Sequence, residues 1–281
     1  MIAAGRLEDS LVDAARALTE GRAVRWIDRG DAATFDADGS VSAVKARLSP
    51  FEDRLDVIVT EERNSVRLFV ADMDSTMIGQ ECIDELADYA GFKPQVAAIT
   101  ERAMQGELDF ASALAERVAL IKGLDRGVIG QCLAERIRPN PGARTLLATL
   151  RAHGARSLLV SGGFTDFVAP IARDLGFDAY RANVLASDGD RLDGTTSGPI
   201  IDSAAKLEAA REEADALDIG AVAVMAVGDG ANDGAMVSWA GQGVGYHPKP
   251  ALAALANGSI RHHDLTALLW AAGIPRRDWR D

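Results

Sequence analysis

Apolar positions along the chain follow two different periods. Near the start, Leu7, Leu11, Ala14, Ala15 and Leu18 recur at helical spacing, and short strand-like pieces follow at residues 23–27 and 54–60. Asp38-Gly39, set between two polar-apolar alternations, predicts a hairpin turn. Residues 1–64 therefore read as a small α+β module to which the residues themselves assign no chemistry.

Past the polar stretch Glu61-Glu62-Arg63-Asn64 the pattern changes. Short continuous apolar runs appear at residues 66–71, 157–160 and 221–227, each ending in small or acidic residues and each followed by a helical pattern. Strands buried on both faces require such runs, and their alternation with helices predicts a parallel sheet. Sheets of this kind carry their sites just beyond the carboxyl ends of the strands, so three polar clusters would meet in one crevice.

Between the first and second runs lies a long helical block, residues 80–138 or so. Its helices are marked by Ile83, Leu86, Ala87 and Ala90, stopped by Gly91; by Val96, Ile99 and Ala103, stopped near Gly106; by Phe110, Leu114 and Val118, stopped at Gly123; and by Ile129, Leu133 and Ile137, stopped by Pro139. The block is too long for an ordinary βα connection and predicts a separate bundle over the crevice. Gly79 and Pro139-Asn140-Pro141-Gly142 flank it as hinges for a lid.

Charge narrows the partners. Lys and Arg number 30 against 42 Asp and Glu, and the net charge of −12 repels nucleic acid and anionic membranes. Cys82 and Cys132 form no spaced framework and read as two reduced, buried thiols. No stretch approaches the ~18 to 20 apolar residues of a membrane span. Arg6, Glu8 and Asp9 interrupt the apolar core that a signal peptide needs, so a cytoplasmic protein is expected. His262-His263 fall in a polar turn before the last helix and carry no metal-ligand spacing.

The clusters at the strand ends hold the chemistry. In Asp72-Met73-Asp74-Ser75-Thr76 two carboxylates lie two positions apart, an arrangement that repels itself unless a cation intervenes or solvent screens it as a surface turn. Ser161-Gly162-Gly163 offers a hydroxyl and exposed backbone N–H groups, the makings of an anion cradle or of a bare turn. In Gly228-Asp229-Gly230-Ala231-Asn232-Asp233-Gly234 the glycine spacing is wrong for a dinucleotide loop, and Asp229 and Asp233 suit Mg²⁺ better than a pyrophosphate. Lys206 stands in the first turn of a helix that begins near Asp202-Ser203, where the dipole favours anions, so its placement hints at a site. Arg117 shares the apolar stripe of Phe110 and Leu114 and needs an anionic partner. Glu81, at the start of the first insertion helix, either complements the helix dipole or meets a ligand's ammonium.

Taken in order, Asp72-Met73-Asp74-Ser75-Thr76, Ser161-Gly162-Gly163-Phe164, Lys206 and Gly228-Asp229-Gly230-Ala231-Asn232-Asp233 resemble the four motifs of the haloacid dehalogenase superfamily of phosphatases. The insertion resembles that of its phosphoserine phosphatases, through Glu81, the stretch Met104-Gln105-Gly106-Glu107-Leu108-Asp109-Phe110 and Arg117. The likeness runs from about Arg67 to the C-terminus. It implies an α/β fold: a Rossmann-like core with a parallel sheet over residues 65–281, a helical cap inserted after the first core strand, and a small N-terminal α+β module resembling a shortened regulatory domain.

The same resemblance implies roles. Asp72 would be the nucleophile and Asp74 the general acid and base. Mg²⁺ would be held by the Asp72 and Asp229 carboxylates and the Asp74 carbonyl, with Asp233 and Thr76 supporting from behind. Ser161, Gly162 and Lys206 would bind the phosphoryl oxygens, Asn232 would assist nearby, and Glu81, Arg117 and Phe110 would meet the ammonium, carboxylate and body of phosphoserine. The implied enzyme is a cytoplasmic monomer or homodimer acting on a small molecule. A phosphotransferase is one rival, separable by an added alcohol acceptor. A silent sensor is another, and its sign would be loss of Asp72, Lys206 or Asp229, all of which are present.

Overall fold

The computed structural model describes the chain apart from Arg63, Gly106 and the side chain of Met104; the helix stop expected near Gly106 lies outside the described residues. Helix α1 (Asp9–Leu18) buries Val12 and Ala15. Strands β1 (Arg22–Asp28) and β2 (Ala32–Asp36) then pair antiparallel. Their turn passes through Gly30 at φ +83°, a conformation that favours glycine.

The hairpin turn is therefore not at Asp38-Gly39. That dipeptide leads into helix α2 (Val41–Leu48), where the Ser40 side chain accepts a hydrogen bond from the Ala43 N–H. An Asp-Gly-Ser sequence suits a helix entry as well as a turn, and the cap satisfies a helix donor that a hairpin would not need. The expected strand over 54–60 shrinks to β3 (Val57–Ile58), because Arg54 and Leu55 donate their N–H groups to the Phe51 carbonyl and stay in a turn.

The core opens with β4 (Leu68–Ala71), followed by α3 (Cys82–Tyr89), α4 (Lys93–Met104), α5 (Phe110–Leu120), α6 (Gly127–Arg136) and α7 (Ala143–Ala152). It continues with β5 (Arg156–Phe164), α8 (Thr165–Leu175), β6 (Ala179–Asp188), β7 (Arg191–Ser197), α9 (Ser203–Ala216), β8 (Val224–Gly228), β9 (Gln242–Tyr246) and β10 (Gly258–Ile260). Among the described residues these strands form one sheet in the order β3-β10-β9-β8-β4-β5-β6-β7. The strands from β10 to β6 run parallel, and β3 and β7 close the edges antiparallel.

Strand β4 sits at the centre because it is apolar on both faces. Phe69 and Ala71 pack toward Leu146, Phe167 and Val168, while Leu68 and Val70 pack on the opposite side toward Ala210 and Val237. Its neighbours β5 and β8 lie on either side, so the strand order reverses at β4 and opens a crevice at its carboxyl end.

The N-terminal segment is stitched to this sheet rather than hung beside it. Ile2 pairs antiparallel with both Ala32 and Asp56, and β3 pairs with β10. The buried Asp56 accepts from the Arg261 and His262 N–H groups and lies 2.6 Å from His263 Nδ1, while His262 Nε2 meets the Glu52 carbonyl. The two histidines thus line the seam between module and core.

Helices α3 to α6 form the cap. Its two connections pair with each other: Ile78 bridges Pro139, Gly79 N–H donates to the Arg138 carbonyl, and Asn140 N–H donates to the Met77 carbonyl. On the far side, Gly123 N–H donates to the Leu192 carbonyl and Leu192 N–H to the Leu124 carbonyl, so the β6–β7 hairpin clasps the α5–α6 loop. No described helix is long and apolar enough to cross a membrane.

Candidate active site

Asp72 follows β4, and there the chain turns tightly instead of continuing as a strand. Ser75 takes φ +53°, rare for a residue with a side chain. The strain is held by Ser75 N–H donating to the Gln80 carbonyl and its hydroxyl donating to Glu81 Oε1 at 2.5 Å. Asn140, in the second connection to the cap, donates its side-chain amide to the Thr76 carbonyl, 2.8 Å away. In this locked turn Asp74 Oδ1 accepts from the Cys82 N–H at 3.2 Å, and Asp74 lines the same cleft as Asp72.

Ser161 and Gly162 lie within the last part of β5, not beyond it as their glycine-rich sequence suggests. The pairing of β5 with β6 slips between Val160 and Phe164, and the glycines let the strand bulge there. The buried Asn183 of β6 supports the bulge, donating to the Gly162 carbonyl and accepting from Ile201 N–H, both at 2.8 Å. A Cβ on Gly162 would lie 2.6 Å from Phe110 Cζ, so the cap ring rests directly on this glycine.

Lys206 enters from α9, whose first turn is set by the Asp202 side chain accepting from Ala205 N–H. It is fully buried, and its Nζ donates to Asp72 Oδ1 and Asp233 Oδ1, each at 2.7 Å. Burial opposes its charge, but the Asp233 and Asp72 carboxylates outweigh burial and hold it cationic. Asp233 spends its other oxygen on the Asp229 and Gly230 N–H groups.

Three buried carboxylates, Asp72, Asp229 and Asp233, bring oxygens within 4.8 Å of one another. Among the described residues Lys206 is the only cation bonded to them, leaving an excess of negative charge. Burial and the Asp233 carboxylate push Asp72 up to about 7 despite the pull of Lys206. Burial, with the Glu81, Asp233 and Asp72 carboxylates, pushes Asp229 well above the ordinary range. Asp229 Oδ1 is buried with no partner among the described residues. An orphaned oxygen in an all-oxygen, over-acidic cluster fits a hard divalent cation. Since both Asp233 oxygens are already bonded, Asp72 and Asp229 are the free donors.

The core side of the cleft is lined by Asp72, Asp74, Ser161, Gly162 and Asn232, whose buried Oδ1 also lacks a partner. The cap side is lined by Glu81, Phe110 and Arg117. Lys206, Asp229 and Asp233 lie beneath, and Thr76 is buried with its hydroxyl unpartnered. With the cap seated, about 40 Å³ remains open, room for roughly three waters.

Burial pushes Asp74 up to about 6, against hydrogen bonds from Cys82, so near neutrality it can exchange a proton. Glu81 rises well above its usual value through burial. Arg117 is 6% exposed, and among the described residues its guanidinium makes no salt bridge; Nε donates to the Ala113 carbonyl and Nη1 to Thr100 Oγ1. Sequence reasoning passed over Thr100 and Asn183. Asn183 left no trace, since its strand also carries Arg181, Ser187 and Asp188 and nothing local sets the one buried polar residue apart from the exposed ones.

The chain resembles known proteins over most of its length. The family model described as haloacid dehalogenase-like hydrolase matches residues 69–238. The chain is 42% identical over 228 residues to the phosphoserine phosphatase SerB2 of Mycobacterium tuberculosis, covering 80% of this chain but only 56% of that protein. It is 45% identical over 208 residues to a phosphoserine phosphatase of Albidiferax ferrireducens, covering 72% of this chain and 88% of that one. A solved structure described as a phospho-aspartyl intermediate analogue of phosphoserine phosphatase superposes with a TM-score of 0.71 at 35% identity, covering 74% of this chain and 99% of that one. With the aspartate turn after the central strand, the glycine bulge of β5 and the acidic loop after β8 all inside or bordering the matched span, the chain belongs to the haloacid dehalogenase-like hydrolase family.

Proposed function

We propose that the chain hydrolyses O-phospho-L-serine to L-serine and inorganic phosphate through an aspartyl-phosphate on Asp72, the last step of L-serine biosynthesis. The buried Arg117, without a salt bridge among the described residues, carries this reading most directly. It faces the cleft with Glu81 on the cap wall, opposite Asp72 and the Ser161-Gly162 bulge. A cation and a carboxylate at one end and a phosphate cradle at the other complement an amino-acid zwitterion that carries a phosphoester.

In the first half-reaction an Asp72 carboxylate oxygen bonds to phosphorus, the bond from phosphorus to the serine oxygen breaks, and Asp74 gives its proton to that oxygen. In the second, Asp74 takes a proton from water as the water oxygen attacks the aspartyl-phosphate, which releases phosphate and restores Asp72. Ser161 Oγ, the Gly162 backbone N–H and Lys206 Nζ receive the phosphoryl oxygens, assisted by Asn232. Mg²⁺, held by the Asp72 and Asp229 carboxylates and the Asp74 carbonyl, would supply the positive charge that lets a carboxylate meet a phosphate dianion. Asp233 holds the Asp229 loop from behind, Thr76 packs buried beside it, and Phe110 closes the cleft against water.

Residues 65–281 would carry the catalysis, with the cap at 80–138, while residues 1–64 form the appended module. The setting is the cytoplasm, with a small-molecule substrate and no nucleic-acid or membrane partner, and the enzyme works as a monomer or homodimer. Arg117→Ala tests the substrate assignment. Its kcat/KM should fall about a hundredfold for phosphoserine and only a few-fold for O-phosphoethanolamine, which lacks the carboxylate. Equal losses on both esters would remove Arg117 from carboxylate binding.

A further inference from the structure

We propose that Thr100 is a positioning residue: its hydroxyl links the Asp84 carboxylate to the Arg117 guanidinium and so sets the orientation in which Arg117 meets the substrate carboxylate. The inference rests on the reading of Arg117 above and deepens it.

Three cap helices contribute one group each. Asp84 comes from α3, Thr100 from α4 and Arg117 from α5. Thr100 is 3% exposed. Its Oγ1 lies 2.8 Å from Asp84 Oδ1 and 3.0 Å from the Val96 carbonyl, and it accepts from Arg117 Nη1 at 3.1 Å. A hydroxyl has one proton to give. A carboxylate is a stronger acceptor than a peptide carbonyl, and Asp84 is the nearer of the two, so the proton points at Asp84 and the lone pairs are left for Arg117.

A threonine inside a helix ordinarily bonds the carbonyl four residues back and does nothing more. Here the same oxygen is the only side-chain partner of a buried guanidinium among the described residues. Arg117 has five N–H groups in a rigid fork. One is spent on the Ala113 carbonyl and one on Thr100, which together stop rotation of the fork. The remaining hydrogens, on Nη1 and Nη2, are left for a ligand in the cleft that Arg117 and Thr100 both line.

Asp84 makes no salt bridge with Arg117 and acts through the hydroxyl; its charge also helps keep the buried Arg117 cationic, against the lowering effect of burial. Without Thr100 the guanidinium would be free to turn toward Asp84 and away from the substrate. Affinity for a carboxylate would fall while the phosphoryl chemistry, on the opposite wall, stayed intact.

The test compares Thr100→Val, Thr100→Ser and Asp84→Asn with the parent enzyme on phosphoserine and O-phosphoethanolamine. Thr100→Val should raise KM for phosphoserine about tenfold, with kcat and the phosphoethanolamine KM changed less than about twofold. Thr100→Ser should restore the parent value, and Asp84→Asn should raise the phosphoserine KM about threefold. In an Arg117→Ala background Thr100→Val should add nothing, as coupling through one guanidinium requires. Equal losses on both esters, a serine variant no better than valine, or an undiminished valine effect without Arg117 would each overturn the proposal. If Arg117→Ala alone hurt both esters equally while Thr100→Val stayed selective for phosphoserine, the Arg117 reading would fail and Thr100 would act by another route.

Discussion

Asp72→Asn should lower phosphate release from phosphoserine by at least about 10⁴-fold, the scale on which nucleophile removal acts in enzymes with covalent intermediates. An amide oxygen is a poor nucleophile and would not form the acyl-phosphate on which the second half-reaction depends. The fold should survive. Asparagine has the same shape and keeps an acceptor for Lys206 Nζ, which remains paired with Asp233 in any case. The substitution also removes one of three crowded, buried carboxylates. Thermal unfolding of the variant should therefore occur at or above the parent temperature when no metal is present. A single-turnover experiment should show no burst of serine. Phosphate release at the parent rate would refute the nucleophile assignment.

Chelation should have a comparably large effect. With EDTA in excess, turnover should drop to background and return on adding Mg²⁺ beyond the chelator, because the cluster carries more negative charge than Lys206 neutralises. Stability should respond as well, since an ion that binds only the folded state adds about 2.7 kcal/mol at a hundred times its Kd. Asp229→Asn, which alters the donor whose oxygen stands unpartnered, should lose most of that gain.

The sign of the pH dependence follows from the raised carboxyls. A carboxyl whose folded value lies above its unfolded one binds more protons in the native state. Its contribution to stability is full below the unfolded value and is lost as pH rises through the folded one. For Asp72, raised by burial from 3.8 to about 7, the metal-free enzyme should lose stability across that window. Asp74, raised from 3.8 to about 6, adds to the same trend. Mg²⁺ should flatten the slope, since the ion competes with the protons. Thermal melts from pH 4 to 8 with EDTA and with Mg²⁺ would decide it, and parallel curves would contradict the account.

Much of this arrangement was legible before any coordinates. The runs at 66–71, 157–160 and 221–227 announced buried strands because a strand covered on both faces has no polar alternation to hide it. Asp72, Ser161 and Asp229 could be set at their ends, since the parallel crossover leaves little choice about where strand ends meet. The cap helices were readable from their 3.6-residue period, and Arg117 stood out as a charge on an apolar stripe.

Other features had no local signature. Pairing of Ile2 with Asp56 and of β3 with β10 joins segments far apart in the chain. Which sheet edges remain open to such pairing depends on how the rest has packed. The Asp38-Gly39 step was misread for a related reason: one sequence satisfies two backbone geometries, and the helix that followed it decided between them. The link from Asp84 through Thr100 to Arg117 is the clearest case. Each is an ordinary residue in its own helix, and only the packing of α3, α4 and α5 brings their polar atoms within about 3 Å of one another. The sequence by itself determined which candidate residues lie at the carboxyl ends of the buried strands, because burial and period are local properties. The tertiary structure alone decided how those residues are oriented, because a hydrogen bond between helices depends on distances that no single segment encodes.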